Sequence, residues 1–144
     1  MAKMIFVNLP VADVAGATAF YEAIGFIKNE MFSNENASAM GWSDEISVML
    51  LAHDFFRGFL PEGHAIGDAH RAAQTLICLS FDSREAVDAV TEAAAANGGT
   101  ADVRAAQDMG FMYSRAFADP DGHIYEPMFM DMAAAQTAFA AEPA

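Results

Sequence analysis

The sequence predicts an α+β fold of two βαβββ modules, forming a curved mixed sheet around a small-molecule cavity. Three observations carry this expectation. Strand-like sequence, a capped helix and three further strand-like runs occur in that order twice along the chain. Laying the helix start Asp13 on Ser83 places Phe6 on Leu76, Asn8 on Cys78 and Leu9 on Leu79. Laying the last strands together places Ser47–Leu50 on Ile124–Pro127, so Met49 falls on Glu126. Each module needs its helix to cover one sheet face, and the two remaining faces are left to enclose a cavity.

The first module occupies about residues 4–60. Met4–Leu9 reads as a strand closed by Pro10, and Asp13 caps a helix from Val14 to about Ile24, where Gly25 supplies the terminator. Ala17, Phe20 and Ile24 fall on one stripe of that helix, its core face. Phe26–Phe32 reads as a short strand before the turn Ser33–Asn36, and Ala37–Trp42 and Ile46–Leu51 supply two more. Residues 52–73 carry His53, His64 and His70, the aromatics Phe55, Phe56 and Phe59, and the breakers Pro61, Gly63 and Gly67. A short helix and a mobile connection are expected there.

The second module, about residues 74–131, restarts the pattern. Gln74–Phe81 is a strand, and Asp82–Glu85 opens a helix from about Arg84 to Ala96, which Asn97-Gly98-Gly99 ends. Another strand begins near Val103. The stretch Met109–Met130 then reads as a β-hairpin turning at Asp119-Pro120-Asp121-Gly122, where Pro presets φ and Gly tolerates a positive one. Residues 132–144 read as a tail to a single domain spanning the chain.

Composition bounds the function. The chain of 144 residues is long enough to bury about two-thirds of its unfolded surface in one domain. Seven Lys and Arg against 20 Asp and Glu give a net charge of −13, which argues against nucleic acid as a partner. A cationic ligand or a simply soluble surface both fit that charge. No apolar run reaches the ~20 residues of a membrane span. The start of the chain lacks a signal-peptide core, and one Cys excludes an internal disulfide, so a cytoplasmic location is expected.

Glu126 is the most informative residue. Strand alternation puts it on one face with Ile124 and Met128, and an ionised carboxylate on an apolar face must be paired, solvated in a cavity or metal-bound. Tyr113 and Arg115 share a face of the neighbouring strand. Arg115 is a candidate to neutralise Glu126 or bind an anionic ligand, and equally an exposed edge charge. Asn8 needs hydrogen-bond partners, either Glu126, a ligand or an internal group. Cys78 shares a strand face with Leu76 and Ser80; it has no adjacent base and reads as a small hydrophobe. Trp42, Phe55, Phe56 and Phe111 are either pocket lining or core. His123 reads as a turn residue whose ring bonds backbone.

FVNLPVADVAGATAFYEAIGF at the front and FADPDGHIYEPMFMD at the back resemble the glyoxalase/bleomycin resistance/extradiol dioxygenase superfamily, or vicinal oxygen chelate proteins. FVNLPV, VMLL, GFMY and DPDGH followed by an aromatic residue and Glu are similar to the subgroup called predicted lactoylglutathione lyase. The resemblance implies a paired homodimer. It also implies four metal-ligand positions, on the first and last strands of each module, which fall here on Phe6, Met49, Leu76 and Glu126. Only Glu126 can ligate a hard or borderline divalent ion, so no metal and no cofactor are expected. His53, His64 and His70 show no ligand spacing that replaces the set. Two functions follow. One is a metal-free module that binds or sequesters a small molecule, with Asn8, Trp42, Met49, Cys78, Tyr113 and Arg115 as candidate ligand contacts. The other is a lyase or isomerase with Glu126 as general base.

Overall fold

The computed structural model describes residues 1–140. The first module runs β1 (Ile5–Val11), α1 (Val14–Ala23), β2 (Ile27–Lys28), a 3-10 turn at Glu30–Phe32, β3 (Ala37–Gly41) and β4 (Ile46–Ala52). A short helix α2 (His53–Arg57) begins the connection to the second module, as expected. Then come β5 (Leu76–Ser80), α3 (Arg84–Ala96), β6 (Thr100–Ala101), β7 (Gln107–Asp108), β8 (Met112–Ser114), β9 (Phe117–Ala118) and β10 (Ile124–Met130). The helix α4 (Met132–Ala140) replaces most of the expected tail, whose last four residues lie outside the described ones.

Both helix starts form as their sequences dictate. The Asp13 carboxylate accepts from Gly16 N at 3.1 Å, and the Ser83 hydroxyl from Ala86 N at 3.0 Å. Gly25 ends the first helical segment at φ +106°, a conformation that costs glycine little.

The strands form two sheets. The first has the order β1-β4-β3-β2; the second has β6-β9-β10-β8-β7, with β5 on the other side of β10. In each sheet the first and last strands of the module run parallel. Asn8 stands opposite Met49, and Cys78 opposite Glu126, so residues superposed between the modules occupy matching register positions in their two sheets. Alternation buries Leu9, Val11, Val48 and Leu50 under α1, and Leu79, Tyr125 and Pro127 under α3. The opposite face of each sheet is open: Phe6 is 54% and Leu76 55% exposed.

The helix-side cores of the two modules merge. Phe20, Tyr21 and Phe26 from the first pack with Phe117 and Tyr125 from the second in one buried cluster. Within it the Tyr21 hydroxyl donates to Asp119 Oδ2 at 2.6 Å and lies 2.9 Å from the Tyr125 hydroxyl. Asp119 Oδ1 accepts from the backbone N–H groups of Asp121 and His123, both at 2.9 Å. Ala12 N donates to Asp121 Oδ1 at 2.8 Å, and the His123 ring nitrogen Nε2 meets Pro10 O at 2.8 Å. The turn read as a hairpin end is thus also the joint between modules. No buried side-chain polar atom among the described residues lacks a partner, as a tightly packed joint requires.

Candidate functional site

The open faces of the sheets hold the candidate site. On the first sheet a cleft of about 1070 Å³ is lined by Met4, Phe6, Met31, Phe32, Trp42 and Met49, with Lys28, Glu30 and Asp44 at its polar parts. Phe6 and Met49 reach it because β1 and β4 both direct every second residue away from α1. Trp42 is half-buried, held at ring-centroid distances of 5.1 Å from Phe26 and 5.3 Å from Phe81. Asn8 is exposed beside Met49 and makes no side-chain hydrogen bond among the described residues.

On the second sheet Glu126 is joined by a residue that sequence reasoning missed. Arg104 donates to Glu126 Oε2 from Nη2 at 2.7 Å and from Nε at 3.1 Å. The same guanidinium reaches Ser114 Oγ at 3.0 Å and Ala105 O at 2.9 Å. The two side chains are 30% and 23% exposed, so the pair is neither free in solvent nor dry. Cys78 lies on the adjacent strand directly opposite Glu126. Desolvation first, and the negative charge of Glu126 second, push its thiol above the ordinary range, although the residue keeps exposed surface. A thiol so perturbed stays protonated at neutral pH and is a weak nucleophile.

Tyr113 and Arg115 share a face, but it is the helix face, opposite Glu126. Tyr113 stands across from Phe129 in the antiparallel pairing, while Ser114 stands across from Met128 on the open side. Tyr113 donates to Asp88 on α3 at 2.6 Å. Arg115 binds Asp88 and Glu92 on α3 at 3.1 and 2.8 Å, and Asp102 through Nε at 3.0 Å and Nη2 at 2.8 Å. The Arg115–Glu126 contact considered from sequence is therefore replaced by Arg104–Glu126. Nor is Arg115 an exposed edge charge: its side chain is only 12% exposed among three carboxylates.

The structure thus groups the candidates in two sets. Trp42 and Met49 line the cleft on the first sheet with Asn8 nearby, and Cys78 and Glu126 lie with Arg104 on the second. None of Asn8, Cys78 or Glu126 lines that cleft. Phe55 stacks edge-on with Phe59 at 5.2 Å, and Phe56 lines a separate apolar cavity of about 320 Å³ between the modules. Phe111 packs on Phe139 of α4 at 5.4 Å, away from both sets.

The donor set does not fit a divalent cation. Of the four positions implied by the resemblance, Phe6, Met49 and Leu76 offer no hard donor, and a guanidinium already holds Glu126. His53, His70 and His123 border one cleft of about 350 Å³ with Asp68 and Asp121, and His64 lies outside it. Among the described residues no three His, Cys, Asp or Glu side chains are placed to share an ion. No helix there is long and apolar enough to cross a membrane.

No curated protein matches the sequence significantly. The fold is widely shared among solved structures. A hypothetical protein from S. aureus superposes with a TM-score of 0.74 at 22% identity, over 90% of this chain and 95% of its own. The fosfomycin resistance protein FosX from Listeria monocytogenes gives 0.62 at 20% identity, over 90% and 91%. A lactoylglutathione lyase from Agrobacterium tumefaciens gives 0.64 at 15% identity, over 92% and 96%. These likenesses establish the fold alone. The sequence itself matches the family model over residues 3–126, and with this fold it belongs to the Glyoxalase/Bleomycin resistance protein/Dioxygenase superfamily.

Proposed function

We propose that this chain is a metal-independent small-molecule-binding module of its superfamily, acting by sequestration. The observation that carries the proposal is the Arg104–Glu126 pair: the one carboxylate at an inherited ligand position is already neutralised by a side chain of the same protein. The apolar cleft lined by Phe6, Trp42 and Met49 supplies the surface for an aromatic or aliphatic body. Methionines let such a surface adapt to varied shapes. The modules act as one domain, and two copies pair as a homodimer in the cytoplasm. The exposed Phe6 and Leu76 on the open faces support pairing, since apolar side chains so placed gain from cover. In such a pair, open faces from both copies enclose one cavity.

A second reading is favoured by one feature. Glu126 Oε1 accepts no hydrogen bond from any described residue, and a cationic guanidinium lies beside it. That arrangement places a base next to a group able to stabilise an oxyanion, as a lyase or isomerase of the lactoylglutathione lyase type requires.

Metal content, melting temperature and turnover separate the readings. Protein purified without chelating resin should hold less than about one metal per two chains, and excess Ni or Zn should leave its melting temperature unchanged. The methylglyoxal–glutathione hemithioacetal should not be turned over. A saturable thermal shift of several degrees with Ni or Zn would falsify metal independence. Turnover that disappears in Glu126→Gln would establish the enzyme.

A further inference from the structure

The cavity between the modules has walls from both of them, a roof of its own and no fixed charge. Leu9 comes from β1 and Ile77 from β5, and Gly122, His123 and Ile124 add the joint turn and the start of β10. The roof is the connection that follows α2, with Leu60, Ile66 and Ala69 half-buried along the lining. Asp, Glu, Lys and Arg make up 19% of the chain, yet none of them lines this space. His123 is its single titratable side chain, and the ring nitrogen Nε2 is already engaged by Pro10 O at 2.8 Å. No residue is shared with the cleft on the first sheet.

The roof is held by packing and not by hydrogen bonds across the cavity. Among the described residues, every hydrogen bond made by residues 61–73 stays within that segment. His64 N donates to Pro61 O, Arg71 N and Ala72 N to Asp68 O, and His70 N to the Asp68 carboxylate. The backbone at Ala69 and His70 rests on Gly122, where an added Cβ would come within 2.7 Å of His70 N. A segment tied only to itself opens at a lower free energy than the strands beneath it. The space below is therefore reachable without unfolding the joint.

We infer that this capped cavity is a second ligand site, for a compact, neutral and largely apolar molecule the size of two fused rings. Its volume of about 320 Å³ lies at the lower end of small-molecule pockets. An apolar cavity of about 150 Å³ takes a benzene ring, so roughly twice that space takes a bicyclic one. The lining decides the charge: with no carboxylate, ammonium or guanidinium on it, an ion would lose its hydration and gain no partner. Gln74 and Thr75 also line the space, and their side chains make no hydrogen bond among the described residues, which suits a ligand bearing one hydroxyl group. The site is separate from the cleft of the proposed function and stands whether or not that reading holds.

Three probes of nearly one shape test this: 2-naphthol, 2-naphthoate and 2-naphthylmethylammonium, neutral, anionic and cationic at neutral pH. Each is titrated into the full chain. Amide chemical shifts of Ile66–Ala69, Gly122 and His123 report on the cavity, and the Trp42 indole N–H reports on the cleft. 2-Naphthol should move the cavity resonances saturably and bind there about tenfold more tightly than either ion. Ala72→Leu, at an exposed lining position, should narrow the space and weaken 2-naphthol about tenfold. Ile66→Asp puts a carboxylate on the roof and should abolish the response of the cavity resonances. Should Ile66→Asp not fold, Ala65→Asp places the charge at an exposed position of the same lining and should do the same. Met49→Asp, in the cleft, should leave the cavity shifts unchanged. No saturable response at the cavity, ions binding as tightly as 2-naphthol, or a response indifferent to the lining substitutions overturns the site. Movement of the Trp42 signal alone also overturns it, while the binding module of the cleft stands. A cavity response that persists in Met49→Asp supports the site even if the cleft binds nothing.

Discussion

Arg104 holds Glu126 through one carboxylate oxygen, at 2.7 Å from Nη2 and 3.1 Å from Nε. The pair is partly screened by solvent, so its contribution lies between that of an exposed pair and a buried one. Glu126→Gln and Arg104→Met should each cost about 1–2 kcal/mol, and the double substitution should recover part of that. Arg104 should couple to Glu126 by roughly 1 kcal/mol in a urea-melt cycle, more strongly than Arg115 does. An Arg115–Glu126 coupling of equal size would contradict the strand faces described above.

The joint between modules makes a sharper prediction. Tyr21, Asp119 and Tyr125 are buried together, with Asp119 only 2% exposed. Tyr21→Phe removes one hydroxyl and strands its partners, so it should cost about 1–3 kcal/mol. Because Asp119 also accepts two backbone N–H groups, Asp119→Ala should cost more than Tyr21→Phe. Denaturant melts of the two variants decide the order.

Acid stability carries two opposite signs. Asp88 is held below the ordinary carboxylate range first by the Tyr113 hydroxyl and then by Arg115, and Asp102 is held there first by Arg115. Stability from such groups is fully present above about pH 4, near their unfolded values, and is lost as pH falls through their depressed folded values. Burial pushes Asp119 the other way, so the fold gains stability as pH falls through its raised value toward about 4. Wild type should therefore lose melting temperature steeply below about pH 4, and Arg115→Met should lose it less steeply. Asp119→Asn should remove the gain that precedes the fall.

The repeat was legible in the sequence because it rests on local chemistry: Asp13 and Ser83 as caps, Gly25 as a terminator, and alternation in β1, β4, β5 and β10. Alternation also placed Tyr113 and Arg115 together. It could not choose their face, since that depends on the register setting Ser114 against Met128. Arg104 was invisible for a related reason. Val103 reads as the start of a strand, whereas the left-handed backbone at Asp102 breaks the strand there and sends Arg104 to Glu126. Helix α4 was missed because residues 132–140 have no polar stripe to mark a packed face.

Gly122 supplies a local test of the turn. It adopts φ +93°, and a Cβ there would lie 2.7 Å from His70 N and 2.8 Å from Ala69 C. Both atoms are backbone, so relief requires moving the 65–73 connection away from the joint. Gly122→Ala should cost about 2 kcal/mol or more, above the usual penalty for leaving glycine's conformational range. Gly63→Ala, also at positive φ but with nothing near the added carbon, should cost only that ordinary penalty. Comparable melts for the two would mean that the 65–73 segment yields freely.

Cys78 reports on pairing of the open faces. It is the chain's single cysteine, it keeps exposed surface on β5, and its thiol titrates above the ordinary range. Reaction with a chromogenic disulfide reagent should therefore be slow at neutral pH and accelerate in alkaline solution, as thiolate forms. If two copies cover their open faces, the rate at fixed pH should fall as chain concentration rises, in step with dimer formed in sedimentation velocity. Ser80, two residues along the same face, supplies the control: Ser80→Arg should weaken the dimer and restore fast labelling at high concentration. A labelling rate independent of concentration, with dimer present in the centrifuge, would place the contact between copies elsewhere and leave the open faces to the ligand alone.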